Sequence, residues 1–415
     1  MLRRSRINYQ LEDKFDVILF FSAMFLVVIG LLAIYSSTVN HPTASGNFQK
    51  QVFWLCISLC LFFATYFANP RLLNYVPIPA YLITLLFLVA VLVIGRKVYG
   101  QRCWIDIGPF GFQPSEFSKV ATVFLLSFFL SREKTDINTI KDIAIAMAIG
   151  LIPVGLILLE PDMGSALIFF SITLVMLFWK GLDIFGIFVV LSPGLVVFAS
   201  MFGMGPFIAV LVLILLILFY FRKNLFLSAS IFVMNLAAGF FFDAVYKVLS
   251  PHQKKLIETF VDPNSDPLGS GYNAIQVKVA IGSGGFLGKG FMHGNQTQLR
   301  FIPEQWTDFI FCVVGEEFGF IGTVITISLF LALFTRLLKI ASFAKEKNEY
   351  HSLLVVGILS ILFAHFAVNI SMNVGLLPII GIPLPYMSYG GSSLMVNLFM
   401  LGVAANIYKN RKQHA

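Results

Sequence analysis

The sequence predicts an all-α polytopic membrane protein, and three observations predict it. It is 58% hydrophobic and only 12% charged over 415 residues, with 45 Phe. That much apolar surface exceeds what one soluble core can cover, so lipid must solvate it. The apolar residues gather into twelve runs, each near the ~20 residues that cross a bilayer as helix. Finally, most Lys and Arg fall in alternate short loops, the charge asymmetry that orients helical membrane proteins.

The runs lie at about 17–37, 51–68, 75–95, 115–131, 141–159, 163–179, 183–203, 205–221, 225–246, 307–335, 351–376 and 386–408. The first follows MLRRSR but lacks a small-x-small cleavage site, so it reads as a retained span rather than a secretory signal. With the N-terminus cytoplasmic, short inner loops and the two termini receive 18 of the 29 Lys and Arg, and an even span count returns the basic tail KNRKQHA to the same side. Three polar loops then face outward, at about 96–114, 247–306 and 376–385, and the turn EPDMG joins them. No linker or second domain is visible, so residues 1–415 read as one membrane domain. The net charge of +8 is scattered between spans, which argues against nucleic acid. Cys56 and Cys60 share one run, Cys312 sits in another and Cys103 in a polar loop, a pattern with neither a disulfide framework nor metal-type spacing.

The polar interval from Asp262 to Gly319 organises the rest. Asp262-Pro263 and Asp266-Pro267 are turn dipeptides, followed by Gly269-Ser270-Gly271. AIGSGGFLGKG packs Gly282, Gly284, Gly285, Gly288 and Gly290 together, which permits close backbone approach to a ligand or to another helix. It matches neither nucleotide-binding glycine pattern. Thr307 is placed to cap the following span, with Asp308 at its positive end. Glu316 then lies roughly 12 Å further along the axis, where a carboxylate must be protonated, paired or in a wet cavity. Lys119 is the partner expected for it.

In the first outer loop Pro114 bars helix before it, Ser115 is an N-cap candidate, and Glu116 and Lys119 share a face of the opening turn. They read either as a surface ion pair or as a pair facing a polar cavity in the membrane. Arg102 has the planar fork that suits a phosphate. Asp162 can cap the helix starting at Met163, which by itself explains it. Leu377 to Leu394 is broken by prolines and re-enters at Tyr389-Gly390-Gly391-Ser392, as segments buried in protein or lining a cavity do.

Taken together, QRCWIDIG…FQPSEFSK, EPDMGSAL, DPNSDPLGSGYNAIQ…AIGSGGFLGKG, QTQLRFIPEQWTDFIF…GEEFGFIG and GIPLPYMSYGGSSL resemble the SEDS family, the RodA, FtsW and SpoVE proteins that polymerise cell-wall glycan. They occur in family order over about residues 15–410. QTQL followed by F-x-P-E is closer to the elongation form. The chain departs from the pattern in carrying an apparent extra pair of spans, near 203–246, on a family core of ten. It also has Glu160 where many relatives have Gln, and Val277 where Ser is common.

The resemblance implies a peptidoglycan glycosyltransferase that moves the growing glycan from undecaprenyl pyrophosphate onto the 4-hydroxyl of lipid II, inverting the anomeric centre. Asp266 is the implied general base, with Asp262 second. Arg102, Lys119, Lys278 and Lys289 are implied at the pyrophosphate or lipid anchor, and Glu116, Asp162, Asp308, Glu316 and Ser388 as organisers of the cavity. No organic cofactor is implied, and a divalent cation is left open. The implied partners are a class b penicillin-binding protein, other elongation-complex proteins and membrane lipid, and the implied site is the outer face of the bacterial inner membrane. A lipid II flippase and a non-catalytic scaffold of the elongation complex are the competing readings, although no internal repeat of the transporter kind is visible.

Overall fold

The computed structural model describes residues 14–98, 101–107, 110–137, 139–221, 225–248, 254, 258–261 and 270–411. Each of the twelve apolar runs coincides with a helix. They are α1 (Val17–Thr38), α2 (Asn47–Phe67), α3 (Pro77–Ile94), α4 (Pro114–Leu130), α5 (Ile140–Leu159), α6 (Met163–Lys180), α7 (Ile184–Ser200), α8 (Met204–Phe221), α9 (Leu225–Val248), α12 (Ile310–Lys345), α13 (Glu349–Val374) and α14 (Gly391–Asn410). Between α9 and α12 lie α10 (Ser270–Ser283) and the single turn α11 (Asn295–Gln298). Among the described residues nine helices are long and apolar enough to cross a membrane, and α7 and Ser228–Phe240 within α9 add shorter apolar helices. α4 has 17 residues and carries Glu116 and Lys119 in its first turns.

The chain forms two compact units, Met1–Lys180 with Gln276–Val374 and Ile380–Ala415, and Gly181–Ile275 with Gly375–Ile379. In the second, α7, α8 and α9 close around Val196, Phe207, Leu211, Ile214 and Ile231. A polar contact inside that core joins Asn235 Nδ2 of α9 to Ser192 Oγ of α7 at 2.9 Å. Helices α8 and α9 occupy the stretch near 203–246 where an extra pair of spans is expected; α8 is long and apolar enough to cross a membrane, and α9 contains the shorter apolar helix Ser228–Phe240.

In the first unit Asp16 accepts the Leu19 amide at the start of α1 and also pairs with Arg336 of α12 at 2.6 Å, so one carboxylate both caps a helix and ties it to another. The first polar loop is not irregular. Arg96–Val98, Gln101–Ile107 and Phe110–Phe112 form an antiparallel sheet in the order β1-β2-β3, too short to show in a residue pattern. Two predicted caps are corrected. Pro114 itself occupies the first helical position of α4, so Ser115 lies inside the helix and Gln113 precedes it without a side-chain cap. Thr307 Oγ1 donates to the Glu304 carbonyl at 3.0 Å, and α12 begins only at Ile310. Asp162 caps α6 as expected, with Oδ1 accepting the Ser165 amide at 2.9 Å and Oδ2 its hydroxyl at 2.7 Å.

α12 breaks at Gly319, whose φ is 63°. The glycine run resolves into the partner of that break. Lys289 and Gly290 amides donate to the Glu316 and Glu317 carbonyls at 3.0 Å each, and the Phe320 and Ile321 amides donate to the Gly285 and Phe286 carbonyls at 2.9 and 3.2 Å. The polar groups that the interrupted helix loses are thus satisfied by the 284–290 backbone, which a break inside a membrane requires. A Cβ on Gly284 would run into the Gly315 carbonyl and one on Gly288 into that of Glu317. At Gly284 and Gly288 the close approach to a helix is realised.

Candidate active site: a buried polar network

Lys119 is one of the largest fully buried side chains. Its Nζ donates to Glu116 Oε1 at 2.7 Å and to His365 Nε2 at 2.8 Å. An ammonium has only protons to offer, so His365 receives at Nε2 and donates from Nδ1 to the Pro383 carbonyl at 3.2 Å. The Glu116–Lys119 pair is therefore not a surface pair, since its members are 6% and 1% exposed at the side chain. Ser115, Ser118 and Thr122 share this face of α4, and their buried hydroxyl oxygens have no protein partner. One step further along α13, Asn369 Nδ2 donates to the Asp308 and Ile382 carbonyls at 2.8 and 2.7 Å, and Asn373 Nδ2 to the Asp308 carbonyl at 3.2 Å. His365, Asn369 and Asn373 lie four apart, one polar stripe down an apolar helix.

The re-entrant segment is held from three sides. Ser388 Oγ donates to the Thr307 carbonyl at 2.5 Å and accepts the Leu384 amide at 2.8 Å. Tyr389 donates its amide to the Trp306 carbonyl at 2.8 Å. Gln51 of α2 donates to the Ser388 carbonyl and accepts the Gly390 amide.

Glu316 has a different partner from the one predicted. Oε1 accepts Lys289 Nζ at 2.9 Å and the Gln296 amide at 2.8 Å, and Oε2 accepts the amide and hydroxyl of Thr297 at 2.9 and 2.8 Å. Lys119 is committed to α13, so the Lys119–Glu316 pairing is withdrawn. The neighbouring Glu317, also buried, accepts Ser36 Oγ of α1 at 2.5 Å.

Acidic groups gather at the α5–α6 turn. Burial, then the Asp162 charge, pushes the Glu160 carboxyl up to about 8, and its Oε1 is buried without a protein partner. Half-buried Asp308 is pushed up to about 7, first by burial and then by Glu304. Cys103 of β2 is raised to about 12 by burial and by the charges of Asp162 and Glu160. Among the described residues no three of His, Cys, Asp and Glu are placed to hold a metal ion.

Of the cations named from the sequence, Arg102 Nη1 donates to the Leu92 carbonyl of α3 at 3.1 Å, Lys119 and Lys289 are ion-paired, and Lys278 on α10 is exposed. The structure brings Glu116 and Lys119 together, and Lys289 and Glu316. Asp262 and Asp266 lie outside the described residues. Sequence reasoning missed His365, Asn369, Asn373, Gln51 and Ser36. The spacing of the first three was the available signal, whereas Gln51 and Ser36 gave none.

Apolar helices surrounding a buried ionic and amide network define a polytopic helical membrane protein with an internal polar site. The chain belongs to the cell cycle protein family of FtsW, RodA and SpoVE, whose profile matches residues 16–205 and 183–413. It is 34% identical over 427 residues to the peptidoglycan glycosyltransferase RodA of Treponema pallidum, covering 95% of this chain and 98% of the relative. To the peptidoglycan glycosyltransferase MrdB of Escherichia coli K12 it is 32% identical over 394 residues, covering 94% and 93%. Among solved structures it is similar to a chain of a peptidoglycan synthase complex that coordinates polymerization and crosslinking, with TM-score 0.72, 27% identity and 96% and 99% of the two chains covered. It is also similar to the rod shape determining protein RodA of Thermus thermophilus, with TM-score 0.63, 25% identity and 96% and 97% covered.

Proposed function

We propose that this protein is a peptidoglycan glycosyltransferase of the elongation type, joining glycan carried on undecaprenyl pyrophosphate to lipid II. The observation that carries the reading is the near full-length match to relatives named peptidoglycan glycosyltransferases RodA and MrdB. The buried Glu116–Lys119–His365 network supports it, because an ammonium is tolerated at that depth only inside a polar site. The acceptor 4-hydroxyl must lose a proton as the glycosidic bond forms, and the departing pyrophosphate must be met by positive charge. Asp266 is the base in this reading, with Asp262 second, and Lys278, exposed on α10, is the cation that meets the phosphate first. Arg102, Lys119 and Lys289 act behind it, through the α3 carbonyl, Glu116 and Glu316 that they hold.

A transpeptidase partner, of the class b penicillin-binding type, is supported by the similarity to a chain of a peptidoglycan synthase complex. The basic end of the bundle, with Lys345, Lys347, Lys409 and Arg411, is the cytoplasmic one in this reading, which leaves the Asp308 end outward. The protein, purified with its partner and given labelled lipid II with and without a divalent cation, forms glycan chains. Asp266→Ala abolishes them while the thermal midpoint and partner binding stay unchanged. Chains persisting in Asp266→Ala would overturn the assignment of the base. A wild-type protein that moved lipid II across vesicles without polymerising it would replace the reading with a flippase.

A further inference from the structure

Two polar ties join α1 to α12, and they stand one bilayer apart. At one end Asp16 pairs with Arg336, and at the other Ser36 Oγ donates to Glu317. Asp16, the N-cap of α1, and Ser36 are 20 positions apart on unbroken helix. That is about 30 Å at the helical rise, the thickness of a hydrocarbon core. Neither α1 nor α12 carries a charged residue between the two ties, whereas Lys339, Lys345 and Lys347 all follow Arg336. Phe320 lies 16 positions before Arg336 with no break between them, about 24 Å along the helix and so roughly 6 Å inside the far boundary. The glycine run is tied to that depth, since the Gly285 and Phe286 carbonyls accept the Phe320 and Ile321 amides. At the tip of the run Phe286 and Leu287 are 66% and 75% exposed. The Phe286 ring stacks on that of Phe320 at 5.8 Å, and the exposed Val324 and Ile325, one turn further along α12, continue the same apolar surface.

We propose that Phe286 and Leu287 form a membrane-inserted knuckle, seated among phospholipid acyl chains in the leaflet opposite the basic helix ends. Two large apolar side chains level with the lipid-facing side of a span are covered by what covers the span, because leaving them in water forfeits their transfer free energy. Irregular backbone is tolerated at that depth where protein covers it. Here Gly284 and Gly288 press on the α12 backbone, and the Gly284 carbonyl takes the Gly288 amide at 2.9 Å, so side chains rather than bare peptide groups meet the lipid. Lys289, two residues after the tip, is turned to Glu316 at 2.9 Å and carries no free charge into the acyl layer. The interval at about 247–306, read from sequence as a polar loop, thus touches the hydrocarbon at one point. This contact does not depend on the reaction proposed above.

The test uses the full chain in vesicles of phosphatidylcholine and phosphatidylglycerol, with the photo-crosslinker 4-benzoylphenylalanine placed singly at position 287, at position 25 and at position 45. Phe25 is a lipid-facing residue in the middle of α1, and Ser45 is exposed in the turn beyond α1. After irradiation, mass spectrometry of the peptides is expected to find acyl-chain adducts at position 287 within about twofold of position 25 and at least fivefold above position 45. Adducts at position 287 no more frequent than at position 45 overturn the proposal. Crosslinks from position 287 to a second protein chain in place of lipid overturn it as well, and make the knuckle a protein contact. Hydroxyl-radical oxidation of the unmodified protein in the same vesicles keeps the proposal testable if the crosslinker at position 287 disturbs the fold. Phe286 and Leu287 are expected to oxidise no faster than Phe25, and oxidation fivefold faster than that of Phe25 would place them in water.

Discussion

Lys289 Nζ lies 2.9 Å from Glu316 Oε1, across the glycine run that fills the break in α12. The pair neutralises a fully buried carboxylate and pins the returning polar segment to the helix that follows it. Removing one member of such a pair leaves a buried charge uncompensated, which costs about 3–5 kcal/mol. Lys289→Met falls at the lower end, because three donors from Gln296 and Thr297 still reach Glu316. A double-mutant cycle by thermal denaturation couples Lys289→Met to Glu316→Gln, whereas Lys119→Met and Glu316→Gln add within about 0.5 kcal/mol. Coupling between Lys119 and Glu316 would contradict the observed partners.

Lys119→Met strands Glu116 in the interior and removes the donor to His365. The expected loss is about 3–5 kcal/mol, and Glu116→Gln in the same background restores part of it, since a neutral amide no longer needs the ammonium. Equilibrium unfolding of the two single variants and the double variant in detergent decides this. A double variant less stable than Lys119→Met alone would show that Glu116 has another use.

Glycine substitutions separate backbone need from sequence composition. Gly288 has φ 83° and its Cβ would overlap the Glu317 carbonyl, so Gly288→Ala destabilises by at least about 1–3 kcal/mol. Gly282 belongs to helix α10 with nothing near its Cβ position, so Gly282→Ala is neutral or stabilising by up to about 1 kcal/mol. Melting temperatures of the two variants, measured side by side, should move in these different directions.

The Glu160 carboxyl is raised on folding to about 8 from its ordinary 4.5. Between those values the folded protein holds a proton that the unfolded chain has released, so its contribution to stability is present at low pH and is lost as pH climbs through about 8. Asp308, raised to about 7, adds in the same sense. The melting temperature is expected to fall from pH 5 to pH 8.5, and Glu160→Gln to flatten that slope. A slope unchanged in Glu160→Gln would mean the proton is held elsewhere.

Much of this was legible in the chain. All twelve apolar runs are helices, Asp162 caps α6, and Glu116 and Lys119 meet as their three-residue spacing implies. His365, Asn369 and Asn373 were also legible in principle, since polar residues four apart in an apolar run mark one helix face. The three-stranded β1–β3 sheet was not, because strands of three to seven residues leave little periodicity to read. Ser115 and Thr307 failed as caps because the residue type was right but the helix began elsewhere.

Sequence alone determined the helical membrane class, the order of the spans and the family, because hydrophobic transfer and helix propensity accumulate along contiguous residues. Only the tertiary structure decided that Lys119 answers to His365, 246 positions away, and that Glu316 answers to Lys289 rather than to Lys119. It also decided that the glycine run serves the break at Gly319. The physical reason is that an ion pair or a backbone splice depends on separation in space. In a bundle of long helices that separation is set by which faces pack together, and local periodicity carries no record of it.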